Sequence, residues 1–302
     1  MNDKQIRINE LKKEKNAVIL AHYYVDDEVQ QIADYVGDSF YLSKVATKVD
    51  ADTIVFCGVS FMGESAKILN PEKTVLMPDA TADCAMAHMA NIERIQELRK
   101  EYKDLAVVCY INSTAELKTY SDVCVTSSNA EKIVRNLPNK HIFFIPDENL
   151  GRYIAKQVPE KEFIFNDGYC PVHKAMAKGY VKIAKNKYPN AEFLAHPECT
   201  PDVLELADFI GSTSEIIDYA TECDAKEFII GTERGVLWEL KCKNPNKTFY
   251  SLSCSQNCVD MKKVTLEKII HVMETGENSV SVSDELRQKA LAPLERMLEL
   301  AK

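Results

Sequence analysis

Three cysteines, Cys84, Cys170 and Cys258, close three divergent copies of one pattern. The first copy reads Ala21-His22-Tyr23-Tyr24, then Ala33-Asp34, then Gly37-Asp38-Ser39. The second reads Tyr110-Ile111-Asn112, Ser121-Asp122 and Val125-Thr126-Ser127, and the third His196-Pro197-Glu198, Ala207-Asp208 and Gly211-Ser212-Thr213. His22, Tyr110 and His196 each lie 12 residues before an aspartate, which lies 5 before Ser39, Ser127 or Thr213. Pro71, Pro159 and Pro245 follow those hydroxyl residues by 32, and the cysteines follow the prolines by 13, 11 and 13. Cys254 would stand at 9, so the register selects Cys258. Landmarks that recur in order mark supersecondary units of one ancestral fold. Three thiolates from three such units can hold one metal centre and leave a position open. A [4Fe–4S] cluster whose unique iron acts as a Lewis acid fits this donor set, and zinc bound by three cysteines competes with it.

The remaining landmarks suit an anionic ligand. His22, Tyr110 and His196 can each donate a hydrogen bond, and the two histidines titrate near neutral pH. Tyr24, Asn112 and Glu198 come two residues later, on the same strand face if extended geometry continues. Ser39, Ser127 and Thr213 fall where the chain turns into a helix, so their hydroxyls are expected to cap it. Free N–H groups at three such helix starts would attract phosphates or carboxylates. His173, three residues after Cys170, reads either as a neighbour of the metal ligand or as a substrate contact.

These residues need a scaffold that brings strand ends together. Apolar runs at 17–21, 53–57 and 74–77 read as strands, with helices over 26–35, 39–49 and 62–69 between them. The second copy predicts strands over 105–111, 141–145 and 162–165, with helices over 128–137 and 150–158. The third predicts strands over 191–195, 227–230 and 247–250, with helices over 201–207, 214–221 and 236–240. Residues 92–103, 172–188 and 283–300 read as further helices, the last returning to cover the first domain. The expected fold is α/β, with three homologous three-layer αβα domains of short parallel sheets about a pseudo-threefold axis. The domains are expected at 1–85 plus 260–302, 86–172 and 173–259. In parallel α/β sheets ligands sit beyond the carboxyl ends of the strands, where His22, Tyr110 and His196 fall.

The bulk composition narrows the function. A net charge of -9 argues against a basic nucleic-acid-binding surface. No run of roughly 18 apolar residues occurs and residues 1–15 are polar, so no membrane span or secretory signal is expected, and the cytoplasm is. Ten cysteines in such a chain should be reduced thiols, and no Cys-x-x-Cys pair signals a zinc ribbon. Cys57, Cys109 and Cys124 lie in apolar runs and read as small core residues.

Together these segments resemble the quinolinate synthase family. The resemblance rests on Ala21-His22-Tyr23-Tyr24, Gly37-Asp38-Ser39, Gly58-Val59-x-Phe61-Met62, Tyr110-x-Asn112 and Pro146-Asp147-x-Asn149-Leu150-Gly151. It continues through Gly168-x-Cys170-x-x-His173, His196-Pro197-Glu198-Cys199, Thr232-Glu233-x-Gly235 and Cys258-x-x-Met261-Lys262. It implies condensation of iminoaspartate with dihydroxyacetone phosphate to give quinolinate, phosphate and water in de novo NAD biosynthesis. It also implies a [4Fe–4S] cluster on Cys84, Cys170 and Cys258, and a transient contact with L-aspartate oxidase. The implied substrate-binding residues are His22, Ser39, Tyr110, Asn112, Ser127, His173, His196, Glu198 and Thr213. Tyr24, Tyr110 and Glu198 are the implied proton carriers, with Glu198 the base. Family members commonly carry a Cys-x-x-Cys at the third ligand, whereas this chain has Cys254-x-x-x-Cys258. His88 is not expected by the resemblance and reads as a helix-surface residue. The alternatives are another [4Fe–4S] hydro-lyase acting on a hydroxy-dicarboxylate, a non-catalytic iron–sulfur sensor and a zinc-stabilised repeat protein.

Overall fold

A computed structural model describes residues 2–302. It contains three four-stranded parallel sheets flanked by helices, the α/β architecture expected. The first sheet holds β1 (Ala17–His22), β2 (Tyr35–Gly37), β3 (Thr53–Cys57) and β4 (Thr74–Leu76), in the order β2-β1-β3-β4. The second holds β5 (Ala106–Tyr110), β6 (Val123–Val125), β7 (His141–Ile145) and β8 (Glu162–Phe165), ordered β6-β5-β7-β8. The third holds β9 (Glu192–Ala195), β10 (Phe209–Ile210), β11 (Glu227–Gly231) and β12 (Thr248–Ser251), ordered β10-β9-β11-β12. The inner strands are continuous apolar runs because helices cover both faces of a parallel sheet. Val107, Phe144, Phe193 and Phe228 are fully buried, as are Cys57, Cys109 and Cys124.

In each sheet the chain leaves the first strand toward one edge and returns on its other side. That reversal is the topological switch point at which such sheets open a crevice. β1 ends at His22, β5 at Tyr110, and His196 directly follows β9.

The expected three strands per copy become four. β2, β6 and β10 are edge strands of three, three and two residues, too short to show a period. The helix expected over 26–35 accordingly stops at Ile32, and Tyr35 begins β2, pairing with Leu20. The repeated aspartates anchor these edges. Asp34 accepts from the Ile19 N–H at 2.8 Å and donates its own N–H to the Ile19 carbonyl. Asp208 does the same at Phe193, accepting at 2.7 Å.

The lysine after each repeat proline is also structural. Lys73 Nζ donates to the carbonyls of Ala46 and Val49, and Lys161 to those of Leu137 and Asn139. Lys247 donates to those of Ala220, Thr221 and Cys223. Each satisfies carbonyls that a helix end leaves without an intrahelical partner.

The chain divides into two compact units. One comprises residues up to 88, 111–124 and 259–302; within it the Asp284–Leu300 helix packs on the Ser60–Leu69 and Ala115–Lys118 helices. The other comprises 89–110 and 125–258. The helical stretch expected over 172–188 is two helices, Pro171–Lys174 and Lys178–Lys187. Among the described residues no helix is long and apolar enough to cross a membrane.

Candidate active site

His22 and His196 each sit in a turn of the same form. After β1, the Val25 N–H donates to the His22 carbonyl at 3.2 Å and the Tyr24 N–H donates to His22 Nδ1 at 3.2 Å. After β9, the Cys199 N–H donates to the His196 carbonyl at 2.9 Å and the Glu198 N–H to His196 Nδ1 at 3.3 Å. The extended geometry expected through Tyr24 and Glu198 therefore does not continue. The chain reverses, and its second N–H closes onto the ring. An accepting Nδ1 places the ring proton on Nε2, so each histidine presents an Nε2–H donor. His196 Nε2 reaches Ser127 Oγ at 3.3 Å. Tyr24 lies edge-on to His22, with ring centroids 4.4 Å apart.

In the second unit the turn delivers Glu198 into a buried chain of polar groups. Its carboxylate is 3% exposed, accepting from Tyr110 Oη at 2.6 Å and facing His173 Nδ1 at 2.7 Å. His173 Nδ1 also lies 3.2 Å from Cys170 Sγ, and its Nε2 lies 2.9 Å from Thr232 Oγ1. The His173 and His196 rings are 4.8 Å apart. Burial pushes the Glu198 carboxyl up, but the His173 and His196 rings and the bonds from His173 and Tyr110 outweigh it. The net effect holds Glu198 well below the usual carboxylate range. Asp147 moves the other way: burial and the Glu198 charge push it up, against backbone hydrogen bonds from Leu150, Cys170 and Asn149. Two carboxyls whose environments separate their acidities can divide the ionised and protonated roles.

Each candidate cysteine has its backbone N–H held by a carboxylate. Asp83 accepts from Cys84 at 2.8 Å, Asp147 from Cys170 at 3.2 Å and Glu233 from Cys258 at 3.2 Å. Asp147 and Glu233 are fully buried, and both lie 12 residues before their repeat proline, a signal that register alone could have yielded. Asp83 also accepts from Ser60 Oγ and pairs with His88 at 2.8 Å, so the exposed His88 braces the loop before Cys84. Among the described residues no cysteine is in a disulfide. Cys84, Cys170 and Cys258 are half-buried, Cys254 is exposed, and Cys199 is sealed in the core, where burial raises its thiol pKa. Half-buried thiols whose backbone is held in place have the ligand chemistry that an iron–sulfur cluster needs.

The other expected residues divide between the units. His22, Tyr24, Ser39, Cys84 and Asn112 belong to the first, and Tyr110, Ser127, Cys170, His173, His196, Glu198, Thr213 and Cys258 to the second. Asn112 Oδ1 is buried with no hydrogen-bond partner among the described residues, an acceptor suited to a ligand donor. The expected hydroxyl caps shift by one residue. Asp38 caps the Ser39–Ala46 helix and Ser212 the Thr213–Glu222 helix, which places Ser39 and Thr213 in the first turns. Ser127 precedes a helix that starts only at Ala130, after an Asn129 side chain that folds back onto the Thr126 N–H at 2.7 Å.

Three repeated four-stranded parallel sheets flanked by helices, with polar groups at their first-strand ends, define the class: an α/β protein built from a repeated unit. The family model described as "Quinolinate synthetase A protein" matches residues 6–299, and the chain belongs to that family. It is 58% identical to a protein named quinolinate synthase from Fusobacterium nucleatum over 98% of both chains. It is 54% identical to one of the same name from Clostridioides difficile, over 99% of this chain and 98% of that one. A third, from Aquifex aeolicus, is 49% identical over 98% of this chain and 94% of the relative.

Proposed function

We propose that this protein is a quinolinate synthase, a carbon–carbon bond-forming transferase that condenses iminoaspartate with dihydroxyacetone phosphate. Quinolinate, phosphate and water are the products, feeding NAD biosynthesis in the cytoplasm, with iminoaspartate delivered by transient contact with L-aspartate oxidase. The observation that carries the reading is the buried Tyr110–Glu198–His173–Cys170 chain, in a protein alignable almost end to end with relatives of that name. A [4Fe–4S] cluster held by Cys84, Cys170 and Cys258 would supply Lewis-acid polarisation of a substrate oxygen or nitrogen.

The protein's own groups supply binding and proton transfer. Two carboxylates and a phosphate call for several donors. The Nε2–H groups of His22 and His196 fill that role, with the first turns that carry Ser39 and Thr213 and the Ser127 hydroxyl beside them. Asn112 Oδ1 accepts from the imine or a hydroxyl. Glu198 is assigned the base from its place in the buried chain, with Tyr110 on one carboxylate oxygen and His173 on the other. Tyr110 and Tyr24 return protons to departing oxygens, and the buried Asp147 holds the Cys170 backbone.

The test is Glu198→Gln, which keeps the shape and removes the base. We expect iron and sulfide content to stay unchanged while kcat falls by about 10²–10⁴. Full activity in that variant would overturn the assignment of the base.

A further inference from the structure

Cys170 Sγ, His173 Nδ1 and a Glu198 carboxylate oxygen all lie within 4.8 Å of one another. His173 and Glu198 are almost fully buried and Cys170 is half-buried. We propose that in the cluster-free chain these three side chains form a site for one divalent cation of the zinc class. Their ligand types are those of zinc: a thiolate, an imidazole and a carboxylate, with a fourth position left for water.

The second layer of contacts is already built. A metal-binding imidazole needs its other nitrogen fixed, and His173 Nε2 lies 2.9 Å from Thr232 Oγ1. A metal-binding carboxylate needs its other oxygen satisfied, and Glu198 Oε1 accepts from Tyr110 at 2.6 Å. The Cys170 backbone is held by Asp147.

The charges also balance. Without a cation, His173 Nδ1 faces both Cys170 Sγ, at 3.2 Å, and Glu198 Oε2, at 2.7 Å, so one ring proton serves two acceptors. A Zn²⁺ ion would take the lone pairs of all three atoms. The thiol proton leaves to solvent, and the ring proton moves to Nε2, where it donates to Thr232. One thiolate, one carboxylate and a dication sum to zero, which suits a buried site. Zinc bonds of about 2.0–2.3 Å set tetrahedral ligand atoms about 3.3–3.7 Å apart, so on binding the His173–Glu198 pair, at 2.7 Å, opens and the three atoms, now within 4.8 Å of one another, draw around the ion.

That zinc and cluster exclude each other rests on Cys170 being a cluster ligand as proposed above; the zinc site itself does not. The full chain, stripped of metal by chelator under anaerobic reducing conditions, is titrated with Zn²⁺ and separately with Co²⁺ as a spectroscopic probe. We expect one zinc per chain retained against a competing chelator, and a thiolate-to-cobalt charge-transfer band. Cys84→Ser and Cys258→Ser should retain both, while Cys170→Ser and His173→Ala lose them. Thr232→Val, which leaves the ligands in place, should weaken zinc by about 10–100-fold. Zinc loaded first should suppress the iron–sulfur absorption on later addition of iron and sulfide. Zinc that depends on Cys84 or Cys258 and ignores His173 would overturn the proposal in favour of a three-cysteine site. A chain that binds no zinc yet makes quinolinate when reconstituted with iron and sulfide would overturn the zinc site alone. A chain that binds zinc as expected but forms no quinolinate after reconstitution would support the zinc site and overturn only the functional reading.

Discussion

Tyr110→Phe isolates one hydrogen bond. The ring stays, so no cavity opens, and only the donor to Glu198 Oε1 is lost. A hydrogen bond to a buried charged group contributes about 1.5–3 kcal/mol. Because Glu198 is 3% exposed, water cannot easily replace the donor. We therefore expect the variant to be about 2 kcal/mol less stable at pH 7. At about 1.4 kcal/mol per pKa unit, the folded-state carboxyl should rise by about 1–2 units. The sign follows from Glu198 being held low in the folded chain. Its stabilisation is complete above the unfolded value, about 4.3, and is lost as pH falls through the folded value. In the variant that loss begins at a higher pH. The assay is urea unfolding of the cluster-free protein followed by circular dichroism across the acid range, with Tyr35→Phe, on an exposed edge, as a control expected within about 0.5 kcal/mol. A Tyr110→Phe protein as stable as the parent at pH 7, with unchanged denaturant slope, would refute the charge-assisted bond.

Three further outcomes are expected. Lys247→Met removes the donor to three helix-end carbonyls and should cost about 2 kcal/mol, lowering the thermal midpoint by about 4 °C; an unchanged midpoint would show that the repeated lysine caps nothing. Gly231→Ala puts a Cβ 2.6 Å from the Phe193 ring and 3.1 Å from the Leu194 carbonyl, so it should destabilise by about 1–3 kcal/mol and disturb the strand end that bonds the His196 N–H. A variant that folds and turns over normally would contradict that tight packing. Cys254→Ser should keep iron–sulfur absorption that Cys258→Ser loses, and the reverse result would reassign the third ligand.

The sequence was most legible where a run of apolar residues was long enough to force a strand. β7 and β8 were read at their observed bounds, and β1, β3 and β5 to within about a residue. It was least legible where only two or three residues pair at an edge. Phe209 and Ile210 carry no period, and what places them is Asp208 gripping Phe193, a contact 15 residues away in the chain. The candidate site divides in the same manner. Residue type and register singled out Glu198, His173 and Tyr110, which the fold joins into one chain. The turn that carries Glu198 was not legible, because alternation of side chains assumes an extended backbone and the Nδ1 atom of His196 rewards a reversal. Asp147 and Glu233 stand in the motifs that carry the resemblance, but carboxylates are common at helix starts, and nothing local distinguishes one that also holds a distant cysteine.

The central claim is tested most directly by the products of the anaerobically purified protein given iminoaspartate and dihydroxyacetone phosphate. The account predicts quinolinate and phosphate in equal amounts, abolished in Cys84→Ser, Cys170→Ser and Cys258→Ser, and no dehydration of malate-like or citrate-like acids. Turnover of those hydroxy-acids without quinolinate, or undiminished quinolinate in any of the three cysteine variants, would contradict it.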